Sequence, residues 1–182
     1  MDDWESCIGD IEGETPEDTE EILPNEALEG KVWMYGIEYT ITKGIAAVTD
    51  SNQLEMKKSN IVIPSYIIYD EHKCRVESIG QEAFKDNTYI TSVEVPKSVT
   101  SIGSYAFDRC ASLTSVNFGE NSQLTSIGYH AFWECTSLTS ITLPKTITAI
   151  EPRAFASCPI TEFVCGENVE KLGWPYEYEY DG

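Results

Sequence analysis

One motif recurs from residue 78 onward and limits what this chain can fold into. Aligned on Ile-Gly-x-x-Ala-Phe, its copies are SIGQEAFKDNTYITSVEVPKSVT from Ser78, SIGSYAFDRCASLTSVNFGENSQLT from Ser101, SIGYHAFWECTSLTSITLPKTIT from Ser126 and the shorter AIEPRAFASCPITEFVC from Ala149. The phenylalanines Phe84, Phe107, Phe132 and Phe155 fall at steps of 23, 25 and 23 residues. Two extra residues in the second copy sit in GENSQL, a turn, where lengthening the chain costs least.

Corresponding positions of the copies form columns with a physical meaning. Ile79, Ile102, Ile127 and Ile150 make one apolar column, Ala83, Ala106, Ala131 and Ala154 a small one, and Ile90, Leu113, Leu138 and Ile160 a third. Val93, Val116, Ile141 and Phe163 follow, with Val95, Phe118, Leu143 and Cys165 two residues further on. Such i, i+2 pairs of β-branched or aromatic residues predict a strand with alternate side chains inward. Pro96 and Pro144, or Gly119 and Gly166, then end it. The Ala-Phe-x-x-Cys segment is spaced for a single helical or 3₁₀ turn with Phe and Cys inward. No copy could bury its own columns, whereas stacked copies can, at the roughly 4.7–4.9 Å spacing of neighbouring strands. The expected architecture is a solenoid.

The pattern SIGxxAFxxCxxLTSVxLPxxLT resembles the BspA-like type of leucine-rich repeat, over residues 61–165 and most specifically over residues 78–165. The resemblance implies a strand-rich α/β repeat fold: a right-handed solenoid of about four to five coils with a parallel sheet and an N-terminal β-hairpin cap. NIVIPSYIIYDEHKCRVESIG fits as a degenerate first coil, in which Ile61, Ile63 and Pro64 match Val93, Val95 and Pro96. Upstream, KVWMYGIEYTITKGIAAVTD alternates around a Lys43-Gly44 turn, as a hairpin covering the first coil would. The expected organisation is an acidic tail or stalk over residues 1–30, the hairpin cap over 31–60, the solenoid over 61–165 and a C-terminal cap or tail over 166–182. In that last segment Trp174, Tyr176, Tyr178 and Tyr180 either fold back as a cap or form a loose tail.

Charge is distributed unevenly. Twelve of the 31 acidic residues lie in residues 1–29, which hold no Lys or Arg. That stretch has few apolar residues and no periodicity, so disorder is its expected state. A formal net charge of −19 argues against binding DNA or RNA phosphates. No run approaches the roughly 20 apolar residues of a membrane span. No basic-then-apolar leader is present in the chain either, so it reads as cytosolic as written or as having lost an export signal. Cys7 before an acidic linker looks like the start of a mature bacterial lipoprotein, although the preceding apolar run of such proteins is missing.

His130, Glu134 and Cys135 lie within six residues, but the repeat accounts for them. Cys135 shares a column with Cys110, Cys158 and Asn87, a structural position expected to hold buried, unreactive thiols. A Cys110–Cys135 bridge is poor geometry for parallel ladder side chains. His130 shares a column with Glu82, Tyr105 and Arg153, and Glu134 one with Asp86, Arg109 and Ser157; both read as outward positions. His72 is the other histidine, so no multi-His metal site is expected. No catalytic, cofactor or metal site is predicted, and Asp86, Arg109 and Glu134 should form an ion-pair ladder across coils.

Specificity then has to come from outward columns. The ridge around the turn segment carries Tyr105, Tyr129, His130 and Trp133 with Arg109 and Arg153 nearby, the composition of an interface hot spot. The strand face offers short polar side chains, among them Asn117 and Thr142. The expected function is a monomeric, non-catalytic protein-binding module. Resemblance to the family implies surface or extracellular placement and adhesion to a host or extracellular-matrix protein. A structural spacer without a ligand is the alternative reading, and a hydrolase a remote one.

Overall fold

The computed structural model describes residues 28–52, 59–169 and 171–172. Their strands are β1 (Glu29–Met34), β2 (Ile37–Thr42), β3 (Ile45–Ser51), β4 (Asn60–Val62), β5 (Tyr66–Tyr69), β6 (His72–Ile79), β7 (Ser92–Val95), β8 (Ser101–Ile102), β9 (Ser115–Phe118), β10 (Ser126–Ile127), β11 (Ser140–Thr142), β12 (Ala149–Ile150), β13 (Glu162–Val164) and β14 (Lys171–Leu172). One long sheet runs β1-β2-β3-β6-β8-β10-β12-β14, with β5 folded antiparallel onto β6. Opposed to it are a parallel β4-β7-β9 sheet and a parallel β11-β13 pair. The interruption between β9 and β11 falls at the coil lengthened by GENSQL.

Register proves the repeat reading. Ile79 pairs with Ile102, Ile102 with Ile127 and Ile127 with Ile150, while Ile61 pairs with Val93 and Val93 with Val116. Residues about two dozen apart therefore lie on adjacent coils. The phenylalanine file is continuous: Phe84, Phe107, Phe132 and Phe155 stack with centroids 5.1 Å apart at each step and interplanar angles of 5°, 8° and 5°. The first three rings are fully buried within one apolar cluster that runs the length of the stack.

No helix forms among the described residues, so the expected α component is absent. The Ala-Phe-x-x-Cys segment is instead a run of tight turns, with Ala106 N donating to Gly103 O, Asp108 N to Tyr105 O and Cys110 N to Phe107 O. Two positions in each turn run are left-handed: φ is 60°, 58°, 54° and 58° at Glu82, Tyr105, His130 and Arg153, and 57°, 56°, 55° and 61° at Asp86, Arg109, Glu134 and Ser157. This geometry aims every second amide at the next coil. Phe84 N donates to Ala106 O, Phe107 N to Ala131 O and Phe132 N to Ala154 O, each at 2.7 Å. A helix would keep those donors to itself and leave this edge of the coils without backbone bonds between them.

Side chains extend the same ladder. The thiols of Cys110, Cys135 and Cys158 donate to the carbonyls of Phe84, Phe107 and Phe132 in the preceding coil, at 3.1, 3.2 and 2.9 Å. Thr125 and Thr148 hydroxyls donate to Thr100 O and Thr125 O in the same way. The stacked hydroxyls thus satisfy backbone carbonyls rather than one another. At Gly103 the coils come so close that a Cβ would lie 2.7 Å from both Gln81 N and Gly80 C.

Both ends of the stack differ from the sequence expectation. Leu28 is buried, Glu29 and Gly30 begin β1, and a Cβ on Gly30 would overlap the Tyr69 ring, so the assigned tail surrenders its last three residues to the fold. The predicted hairpin at Lys43-Gly44 is present, with φ of 53° and 75°, and gains β1 as an antiparallel third strand. At the other end Phe163, Val164 and Cys165 are exposed, although Phe163 and Cys165 belong to inward columns. Yet β14 pairs with β12, Ile150 opposite Leu172, so the stack continues past Cys165. Disorder over residues 1–27 and the fate of Trp174, Tyr176, Tyr178 and Tyr180 lie outside the described residues.

Candidate partner-binding ridge

The turn runs place one outward edge of each coil directly over the next, which brings the candidate rings together. Tyr129 stacks on His130 with centroids 3.9 Å apart, and His130 on Trp133 at 4.7 Å. Tyr105, one coil earlier, meets Tyr129 and His130 edge-on at 5.6 and 5.3 Å. Arg109 lies over the Trp133 ring at 5.1 Å and Lys85 over Tyr105 at 5.4 Å. Tyr105, Tyr129 and Trp133 remain half-buried, leaving ring surface toward solvent.

His130 is a correction. It is 8 % exposed rather than outward, because the large rings of Tyr129 and Trp133 close over it. Neither ring nitrogen has a hydrogen-bond partner. Burial, reinforced by the Arg153 charge, holds the imidazole below its ordinary pKa, with Glu134 opposing. Asp108 is likewise buried, with Oδ1 unpartnered and Lys85 Nζ 3.9 Å from Oδ2. Burial pushes its carboxyl above the usual range against the pull of Arg109 and Lys85. Two buried, incompletely satisfied ionisable groups on one ridge are an uncommon concentration.

The predicted charge ladder is present: Arg109 Nη1 lies 3.6 Å from Asp86 Oδ1 and Arg109 Nε 3.3 Å from Glu134 Oε2. Arg109 thereby links the ladder to Trp133, while Arg153 is exposed and acts on His130 through its charge. Asn117 and Thr142 are exposed on β9 and β11, in different sheets, and join no ring cluster. Lys85 and Asp108 were not among the sequence candidates. In the repeat alignment both fall at the position of Trp133, one residue after the phenylalanine, but the ring that Lys85 covers belongs to Tyr105, in the Glu82 column.

Two thiols of the buried cysteine ladder are held in the protonated form. Cys110 is buried and its thiol is pushed up to about 12, while the adjacent Cys158 thiol and burial together keep Cys135 protonated. Such thiols are poor nucleophiles. Among the described residues no group of His, Cys, Asp or Glu is arranged to hold a metal ion, and no helix is long and apolar enough to cross a membrane.

The family described as BspA type leucine rich repeat region matches residues 59–176, in 6 copies. A solved leucine-rich repeat protein from Bacteroides capillosus is 29 % identical with a TM-score of 0.69, the match covering 75 % of this chain and 99 % of that one. The leucine rich repeat protein of T. pallidum is 25 % identical with a TM-score of 0.69, over 80 % of this chain and 65 % of that one. A leucine rich cell surface protein from Faecalibacterium prausnitzii shares the fold at 24 % identity and a TM-score of 0.61, over 77 % of this chain and 44 % of that one. A search of curated proteins found no match.

Proposed function

Because the chain belongs to the BspA-type leucine-rich-repeat family, we propose that it is a non-catalytic, surface-displayed module that adheres to a host or extracellular-matrix protein through its turn ridge. Membership of this leucine-rich-repeat family supports a protein-interaction module. The observation carrying the reading is the cluster of Tyr105, Tyr129, His130 and Trp133, tied together by ring contacts of 3.9–5.6 Å at positions where the repeat demands no aromatic residue. Rings pre-set by their neighbours lose little side-chain freedom on binding, which lowers the cost of association. Arg109 and Lys85, held over two of them and paired with Asp86, Glu134 and Asp108, help to fix the rings in place. Asn117 and Thr142 belong to a second, flatter face and serve the ridge only as a comparison.

The test is binding to a panel of immobilised extracellular-matrix proteins, with the unmodified chain beside Tyr129→Ala and Trp133→Ala. Hot-spot truncation costs about 2 kcal/mol or more, so each variant should bind any positive partner more than tenfold more weakly. Asn117→Ala and Thr142→Ala should bind as the parent does. Equal binding by all variants removes the ridge from the reading. Labelling intact source cells with a membrane-impermeant reagent tests surface display, and an unlabelled protein contradicts it. The self-packing of Tyr129, His130 and Trp133 favours a second reading, a spacer whose rings only seal the coil edge; it predicts no partner on the panel.

A further inference from the structure

His130 is a titratable ring set where nothing receives its charge. It is 8 % exposed, stacked on Tyr129 at 3.9 Å and on Trp133 at 4.7 Å, with Tyr105 edge-on at 5.3 Å. Both ring nitrogens are buried and neither has a hydrogen-bond partner. A neutral imidazole leaves one donor and one acceptor unmet there. An imidazolium leaves two donors unmet and a charge withdrawn from water, which costs more.

The charged groups around the ring do not make up that loss. On the following coil Arg153 occupies the same column and opposes a second cation, with Glu151 two residues before it. On its own coil Glu134 favours the charged ring, but its carboxylate is held 3.3 Å from Arg109 Nε. On the preceding coil Asp108 is buried with Lys85 Nζ 3.9 Å away, and Arg109 lies over Trp133. The faces of Tyr129 and Trp133 attract an imidazolium, yet they give its N–H groups no oxygen to donate to.

What covers the ring is independent of the core. Tyr129 shares its column with Gln81, Ser104 and Pro152, and Trp133 with Lys85, Asp108 and Ala156, so the stack demands neither ring. The backbone beneath is pinned on both sides. Tyr105 N donates to Tyr129 O at 3.0 Å and Arg109 N to Trp133 O at 2.8 Å, while Phe132 N donates to Ala154 O at 2.7 Å and Glu134 N to Ala156 O at 3.0 Å. The side chains can therefore rearrange while the coil stays in place.

We propose that His130 is a pH-operated latch on the ridge: its neutral ring locks Tyr129 and Trp133 in the closed stack, and its protonated ring leaves the stack for water and opens the ridge. Burial and the Arg153 charge hold the imidazole below its ordinary pKa, against Glu134, so the ridge is closed at neutral pH and opens in acid. The latch stands on the contacts of His130. Its consequence, release of a partner in acid, rests on the ridge being the binding surface. A partner that needs the closed ridge loses affinity in proportion to the closed fraction, about tenfold one pH unit below the midpoint.

The experiment follows the histidine ring Cε1–H signals of the folded full-length chain by NMR as pH is lowered, with far-UV circular dichroism at each pH. The chain has two histidines, and His130→Phe identifies the signal of His130. At neutral pH, ring currents from Tyr129 and Trp133 should displace that signal from the position of a free histidine. The displacement should vanish as the ring titrates, while the dichroism stays that of the folded chain. A His130 that titrates and keeps its displacement remains in the stack when charged, which overturns the latch. So does a His130 that titrates only as the dichroism collapses, because the chain then unfolds instead of the ridge opening. Any matrix protein bound at neutral pH should show the tenfold fall with the parent and not with His130→Phe. Equal falls overturn the release and leave the ridge as a binding surface. A panel with no bound protein removes the release together with the ridge reading, whereas the titration alone decides the latch.

Discussion

Replacing Phe107 by Ala tests the stack at its centre. The ring is fully buried and lies between Phe84 and Phe132, 5.1 Å from each and within 8° of parallel. Truncating a buried Phe to Ala costs about 3–5 kcal/mol, and two ring contacts, each worth about 0.5–1.5 kcal/mol beyond area, place this site toward the upper end. Phe155 has one parallel neighbour, at 5.1 Å, and is 8 % exposed, so its truncation should cost about 2–3 kcal/mol. Small domains lose about 1–3 kcal/mol of stability per molar urea, so Phe107→Ala should lower the urea midpoint by about 2 M, and Phe155→Ala by about half that. Equilibrium unfolding followed by circular dichroism reads both. Phe107→Leu, which keeps most of the volume but loses both ring contacts, should cost about 1–3 kcal/mol, less than Phe107→Ala. A Phe107→Ala loss no larger than that of Phe155→Ala would refute a continuous, load-sharing file, even if both variants were destabilised.

The close approach at Gly103 makes a second prediction: Gly103→Ala must separate two coils whose atoms would lie 2.7 Å from the new Cβ, at a cost of about 1–3 kcal/mol. Gly119→Ala, whose nearest atoms lie 3.8 and 3.9 Å away, should unfold at nearly the parental urea concentration; equal losses would contradict the stacking geometry. His130 makes a third. Its folded pKa lies below its unfolded value, so folding favours the neutral ring: that stability is complete above the unfolded value, near 6.5, and is lost as pH falls through the folded pKa. His130→Phe should abolish this part of the acid sensitivity and, by removing two unpartnered ring nitrogens, raise stability at pH 7 by about 1 kcal/mol or more. A parallel pH–stability profile in parent and variant would remove His130 as the source.

Much of this architecture was legible because one period governs it. Each isoleucine, alanine and phenylalanine column repeats, and a residue type that recurs every 23 to 25 positions has to meet its own kind in the next coil. The Lys43-Gly44 turn was equally visible, since glycine tolerates the left-handed backbone there. The turn between β5 and β6 was not: Asp70 and Glu71 adopt φ of 49° and 63° without glycine, held by the antiparallel pairing on either side. Of the helical or 3₁₀ turn expected at Ala-Phe-x-x-Cys, the i→i+3 bonds are present but not a helix, for a related reason. Phe and Cys three apart fit a helix as well as a run of turns, and only the amides' need for partners in the next coil decides between them.

The sequence by itself determined which side chains form the interior, because burial of a repeated column depends on the period alone. It also showed that His130, Glu134 and Cys135 fall in three different repeat columns, so their closeness along the chain follows from the repeat. The tertiary structure alone decided what happens where the period stops or the side chains change size. Phe163 is 41 % exposed although its column is apolar throughout, since β13 has a pairing partner, β11, on one side within the described residues. His130 is enclosed because two large neighbours, Tyr129 and Trp133, reach across it. Repetition specifies contacts between like positions; contacts between unlike ones depend on where each ring comes to rest.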